Sequence, residues 1–237
     1  MPQPVETPAK NPLLRARSLQ IAGSGTAPSL ELDLELQPGD LQLVFSRDTT
    51  RSTAIVDALL GLDGLAQGDV QFLGRAWSEL TPTEANRLRG NIGRVLSAGN
   101  WMSGRSVMEN LLLPIRHHTT LPDEVLREMA CDLARHFGLP GLPTLLPHQC
   151  PESDLERAAC TKAFLGRPQL VILEHPMDFA DYGLFVPLME AIQQVRRRHG
   201  AVIWCTRSRD VFEDQSIPAS RRLQIAGGRL LDTGFAA

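Results

Sequence analysis

The chain has 237 residues, 43% of them hydrophobic and 22% charged, a composition that excludes the disordered, collagen-like and coiled-coil classes and suffices for one large domain or two small ones. Its formal net charge of -3 offers no broad positive surface of the kind that non-specific nucleic-acid binding uses, so nucleic acid is not an expected partner.

In chain order, Pro2, Pro4, Pro8 and Pro12 make residues 1–12 a flexible leader, with order beginning near Leu13. LELDLEL from Leu30 to Leu36 alternates apolar and acidic side chains and predicts a strand with one buried face. QPGD at 37–40 turns the chain into LQLVF at 41–45, a short run suited to a buried strand. Polar SRDTT then leads into a predicted helix, RSTAIVDALLG, ending at Gly61. DVQFL at 69–73 and IGRVL at 92–96 predict further strands, and Thr81-Pro82-Thr83-Glu84 between them has capping-box spacing with proline at the first helical position.

The middle third is helical in pattern. From Leu121, the residues Val125, Leu126, Met129, Leu133 and Phe137 recur at three and four, and Gly138 stops the run; a second helix is expected over about Ser153–Leu165. QLVIL at 169–173, a helix from about Tyr182 to His199, AVIWCT at 201–206 and a hairpin around Gly227-Gly228 complete the pattern. Buried strands alternating with helices at both ends imply an α/β fold with a parallel core sheet. The helical middle, about 97–166, is then an inserted subdomain of a single domain over 13–237.

The sequence of PGD turn, strand, loop ending in R-S-T, helix, GDV-x-x-x-G, helical insert and strand followed by Pro176 and Asp178 resembles the nucleotide-binding subunit of ABC transporters from about Leu13 to Leu231. VMENLLLPIRHHTTL at 107–121 is most similar to the ATPase of Mla-type phospholipid transporters that work with mammalian-cell-entry (MCE) proteins. The resemblance implies a P-loop NTPase-like domain: a mostly parallel core sheet, an N-terminal antiparallel β portion and an inserted helical subdomain.

The resemblance rests on register and flanks, because the residues that would handle ATP are replaced. An intact P-loop wraps phosphates with glycine-rich backbone, places a lysine on them and holds magnesium with a hydroxyl. Here the segment is S46-R-D-T-T-R-S-T53, one residue shorter than the family loop, with no glycine and with Asp48 adding negative charge. Arg51 takes the lysine position; Lys10 and Lys162, the only lysines in the chain, fall elsewhere. Ser52 and Thr53 remain as nucleotide-binding candidates beside Arg51, although capping a helix also accounts for them. Ser97 stands at the glutamine position, Glu174-His175 at the Asp-Glu pair that ends the catalytic strand, and Arg207 at the switch histidine. Cys150, Pro151, Glu152, Ser153 and Asp154 occupy the signature, where acid would face phosphate. Ile21 replaces the adenine-stacking aromatic. No catalytic residue, resident metal or cofactor is therefore expected.

Ser97–Arg116 corresponds to the family's groove for a permease helix. Most of Leu111–Leu113 reads as core, whereas Asn100, Trp101 and Met102, after the turn-like Gly99, are candidates for exposed permease contact. His117-His118 is expected to be a solvated turn rather than a metal pair, and Arg196–Arg198 a complement to a helix C-terminus. Cys131, Cys150, Cys160 and Cys205 form no C-x-x-C pair; with no apolar signal segment and no ~20-residue apolar run, they imply buried thiols in a reducing, cytoplasmic setting.

The leading expectation is a degenerate, non-hydrolysing subunit, peripheral on the cytoplasmic side of the inner membrane and docked on an integral membrane permease of a lipid transport system. It would pair with a second ATPase subunit or with itself. A working ATPase using ATP and magnesium through compensated motifs, with Arg51 for lysine and His175 as base, and a scaffold without transport role are the alternatives.

Overall fold

A computed structural model of the protein describes residues 11–23, 28–62, 67–96, 100–177 and 182–234. The first ten residues of the expected leader, together with Ser97, Gly99 and Asp178, lie outside them.

The N-terminal half opens with β1 (Leu14–Ile21), β2 (Leu30–Leu36) and β3 (Leu41–Phe45), then α1 (Thr49–Leu59), β4 (Gln67–Phe72), β5 (Arg75–Ala76), α2 (Pro82–Arg89) and β6 (Ile92–Val95). Three helices follow: α3 (Val107–His118), α4 (Asp123–His136) and α5 (Glu152–Phe164). The chain then returns to the sheet with β7 (Leu170–Glu174), α6 (Phe185–Arg197), β8 (Ala201–Thr206), the short α7 (Arg209–Glu213), β9 (Arg221–Ala226) and β10 (Arg229–Asp232).

The ten strands of the described residues form one sheet in the order β5-β4-β1-β2-β10-β9-β3-β8-β7-β6. Pairing is antiparallel among β1, β2, β4 and β5 and between β9 and β10, and parallel across β9, β3, β8, β7 and β6. Burial follows the same division. LELDLEL buries every second residue, whereas β3, β7 and β8 are buried along their whole length because helices cover both faces. Val44, Ile172 and Ile203 pack toward α1 and the antiparallel strands; Leu43, Leu173 and Trp204 pack toward α5 and α6.

Local signals set the helix ends. Asp48 caps α1, and Gly61 follows it at φ +61°. Thr81 and Glu84 close a full capping box on α2, as their spacing predicts. The last strand pair turns through Gly227 and Gly228, both at positive φ. The expected helix from Tyr182 begins as a single 3-10 turn, and α6 starts at Phe185 with Pro187 tolerated in its first turn. The sequence reading missed α3, although Ser106-Val-Met-Glu109 is a capping box and the structure forms both of its hydrogen bonds. At the end of α3, His117 and His118 stack edge to face, so this stretch is helix rather than turn.

The helices of the middle third pack on one another, and α5 joins them to the sheet by lying close on β6. At Gly93 the backbone carbonyl of Ala163 leaves no room for a Cβ. Gly93→Ala should therefore part α5 from β6 and cost about 1–3 kcal/mol, the usual range for overpacking. Gly104, whose Cβ would meet nothing within 4 Å, is the control, and thermal melts of Gly93→Ala and Gly104→Ala should separate by several degrees.

Candidate functional site

The turn from β3 into α1 is where a phosphate loop would stand, and Ser46, Asp48, Arg51, Ser52 and Thr53 all make hydrogen bonds within the chain. Ser46 Oγ donates to the Asp48 carbonyl and accepts from the Asp48 N–H, so it folds the turn. The Asp48 carboxylate accepts from the Arg51 N–H as the helix cap, and the buried Ser52 Oγ donates to the Asp48 carbonyl. Arg51 leaves the turn: its Nη2 donates to the Pro28 carbonyl at 2.7 Å. The adjoining cavity, bounded by Ile21, Pro28, Asp48 and Arg51 among others, measures about 40 Å³, room for two or three waters at ~15 Å³ each and far short of a nucleotide. Ile21 itself is buried core.

The strand-end carboxylate is the most constrained group here. Glu174 at the end of β7 has no exposed surface. It accepts from Thr53 Oγ1 at 2.7 Å on one oxygen and from Arg94 Nε at 2.6 Å on the other. Arg94, on neighbouring β6, also donates through Nη1 to Asp57 on α1 at 2.6 Å. Burial works against the Arg94 charge, but its hydrogen bonds to Glu174 and Asp57 outweigh that and hold its pKa above the ordinary arginine value. One guanidinium therefore ties α1, β6 and β7 together, and the Thr53 hydroxyl donates to the same carboxylate. The sequence reading missed Arg94; a lone arginine inside the apolar strand IGRVL was the available signal.

His175 follows at φ +53°, a left-handed position uncommon for a side chain other than glycine. Its N–H donates to the Cys205 carbonyl and it is only 4% exposed. Arg207 lies at the surface just past β8.

At the signature position, Cys150 ends a single 3-10 turn, Pro151 precedes α5, and Glu152 and Asp154 lie in its first turn with Ser153 between them. Acid there suits the helix dipole and opposes a second anion. Burial and the nearby Asp154 raise the Cys150 pKa, and burial pushes the Cys160 and Cys205 thiols far up, so the last two are inert core thiols. Cys131 and Cys150 are only half-buried, a departure from the expectation for all four.

The expected docking triplet divides. Asn100 and Met102 are exposed, Met102 at 52%. Trp101 is not an exposed anchor: it packs between the α6 side of the core and a cluster around Val107, Ala134 and Ala158, with Lys162 Nζ 4.4 Å from its ring centroid. Turning the ring inward buries more apolar area than surface placement would, which is the reason for the correction. Asn110, a residue the sequence reading passed over, holds this segment: its side chain bonds both backbone groups of Met102 and the carbonyls of Arg105 and Ser106. Arg196, at the end of α6, caps backbone instead of meeting a ligand, donating to the carbonyls of Gly39 and Pro218. Among the described residues no three His, Cys, Asp or Glu side chains converge as a metal cluster, and no helix is long and apolar enough to cross a membrane.

No family model matches the chain. Its sequence is 24% identical over 189 residues to the intermembrane phospholipid transport system ATP-binding protein MlaF of Haemophilus influenzae, covering 78% of this chain and 70% of that one. It is 28% identical to the nickel import ATP-binding protein NikE of Pseudomonas putida, covering 71% and 63%. It is 23% identical to the methionine import ATP-binding protein MetN of Rhizobium etli, covering 89% and 58%. The chain thus spans less than two thirds of the last two relatives. Among solved structures, the dimeric bacterial ABC transporter cassette MJ0796 superposes with a TM-score of 0.79 at 16% identity, covering 94% of this chain and 100% of that one. The same cassette in a post-hydrolysis state bound to ADP and Pi gives 0.78. The fold is that of an ABC ATPase cassette, and the sequence resembles ABC transporter ATP-binding subunits.

Removing Arg94 would strand Glu174 as an uncompensated buried charge. Arg94→Met should cost about 3–5 kcal/mol, whereas Arg94→Met with Glu174→Gln should regain much of it. Urea denaturation of the two single variants and the double gives the coupling; additive losses would mean that the pair is not the clamp.

Proposed function

We propose that this chain is the nucleotide-binding-fold subunit of an ABC-type membrane transporter, docked on an integral membrane permease and not hydrolysing ATP. The observation that carries the second half is the closed Glu174 site. A carboxylate that would hold a magnesium-bound water already accepts from Arg94 and Thr53, and the arginine at the phosphate-binding lysine position is spent on the Pro28 carbonyl. The donor set does not fit magnesium and nucleotide. Ser52 faces its own cap carbonyl, Asp48 sets a negative charge at the helix N-terminus, and the adjoining cavity is too small. A buried His175 held by strand backbone is likewise poorly placed to meet a water attacking from outside.

The transporter half rests on the likeness in fold and sequence. The proposed cargo is a phospholipid, supported by the match to MlaF and by the 107–121 segment; the nickel and methionine relatives, matched at comparable identity, leave that single likeness to carry the choice of cargo. Pairing with a second cassette, this chain or another, is supported by the MJ0796 dimer. In this reading the protein sits at the cytoplasmic membrane face and serves as a structural half of the assembly. With Trp101 inside, the permease-facing apolar contact narrows to Met102 and its neighbours.

Magnesium-ATP at millimolar concentration, a threshold equivalent to about -4 kcal/mol, should leave the melting temperature of the purified chain unchanged. A saturable rise that vanishes in Arg51→Ala would restore the working-ATPase reading. In membrane fractions from the native host, Met102→Asp should release the protein while preserving its melting temperature. Trp101→Ala should instead lower the melting temperature, by roughly 2–3 kcal/mol of stability for a half-buried tryptophan. A wild-type chain that never sediments with membranes or a permease would make it a scaffold.

A further inference from the structure

On the side of the helical insert that meets β6, a cavity of about 200 Å³ lies between the start of β6, α3 and the end of α5. Its apolar wall is built by Ile92, Leu111, Pro114, Ile115, Leu165 and Pro168. Its ionisable lining consists of Arg89, Arg94, His118 and Lys162, with no acid among them.

These basic groups are not equivalent. Arg89 is consumed by the carbonyls of Leu60 and Gly61, by Asn86 and by the face of Trp77. Arg94 is neutralised by Glu174 and Asp57, although its Nη2 is buried without a hydrogen-bond partner. Burial, and the neighbouring His117, lower the pKa of His118 and so disfavour its cationic form. Lys162 is left. It is half-buried, and among the described residues its ammonium meets the face of Trp101 and no acid. Lysines withdrawn from water are ordinarily paired with an acid; here desolvation instead lowers its pKa. Tryptophan's face attracts a cation but leaves the ammonium donors open.

We infer that this cavity is a binding site for a small amphiphilic carboxylate, its anionic end on Lys162 and its short aliphatic body against Ile92, Leu111, Ile115 and Leu165. Three features converge on that class. One uncompensated cation selects a monoanion, the surrounding wall is aliphatic, and the volume admits roughly a dozen waters at ~15 Å³ each, the space of a solute with about ten heavy atoms. A two-chain lipid is too large. The site lies away from the Arg51 loop and needs no nucleotide; Leu111, Pro114 and Ile115 belong to the Ser97–Arg116 stretch read as the permease groove, so a titration of the purified chain without membranes tests the site separately from that reading.

Isothermal titration of the purified chain with octanoate, with 1-octanol and octylammonium as controls, tests the inference. Octanoate should bind saturably at one site, and neither control should. Lys162→Met keeps the length and stacking of the side chain without its charge and should weaken octanoate at least about tenfold. Ile115→Trp, which fills the cavity while keeping Lys162, should abolish binding, and it serves alone if the Lys162 variant does not fold. Saturable binding that survives both substitutions, equal binding of 1-octanol, or no octanoate binding by the wild-type chain would overturn the assignment.

Discussion

A carboxylate with no exposed surface must have partners, and in this protein that demand organises the end of the central sheet. Glu174 obtains them from two directions, Thr53 on α1 and Arg94 on β6, and Arg94 extends the link to Asp57. Three elements far apart in sequence thus converge on one ion pair. Its net contribution to stability against an apolar substitute is small by general experience. Its structural consequence is larger, because no oxygen of Glu174 and no hydroxyl of Thr53 is left facing outward. Glu174 itself is thereby part of the interior, while Asp48 and Thr50 of the neighbouring turn stay exposed.

The helical insert depends on a different kind of constraint, close approach. Gly93 lets the α5 backbone touch β6, Asn110 pins the loop ahead of α3 by four hydrogen bonds, and Trp101 fills the joint between core and insert with Lys162 on its face. The same joint leaves space beside it, with Pro114 of α3 and Pro168 of the α5–β7 connection in its wall. The cavity and its lone lysine follow from how the insert is attached.

Two kinds of signal were readable in the residues themselves. Period-two alternation in LELDLEL, short unbroken runs in LQLVF and AVIWCT, and turn chemistry at Gly61 and Gly227-Gly228 are local properties, because burial on one or both faces of a strand leaves its mark on consecutive residues. Capping boxes are equally local: the one at Thr81 was read, and the one at Ser106 was there to be read. The residue types at the expected phosphate-loop, signature and strand-end positions were also visible, since they concern residue identity at given spacing.

By itself, then, the sequence determined the alternation of strands and helices and the class of fold, and it supplied the residue types from which the non-hydrolysing reading is proposed. Only the tertiary structure decided what the replacements do: that Arg51 turns to Pro28, that Arg94 closes over Glu174, that Trp101 points inward, and that Lys162 lines a cavity without an acid. The physical reason is distance along the chain. Residues 94 and 174, or 101 and 162, carry no periodicity that links them, and a side chain's partner is chosen by the packing of whole elements, which no local pattern encodes.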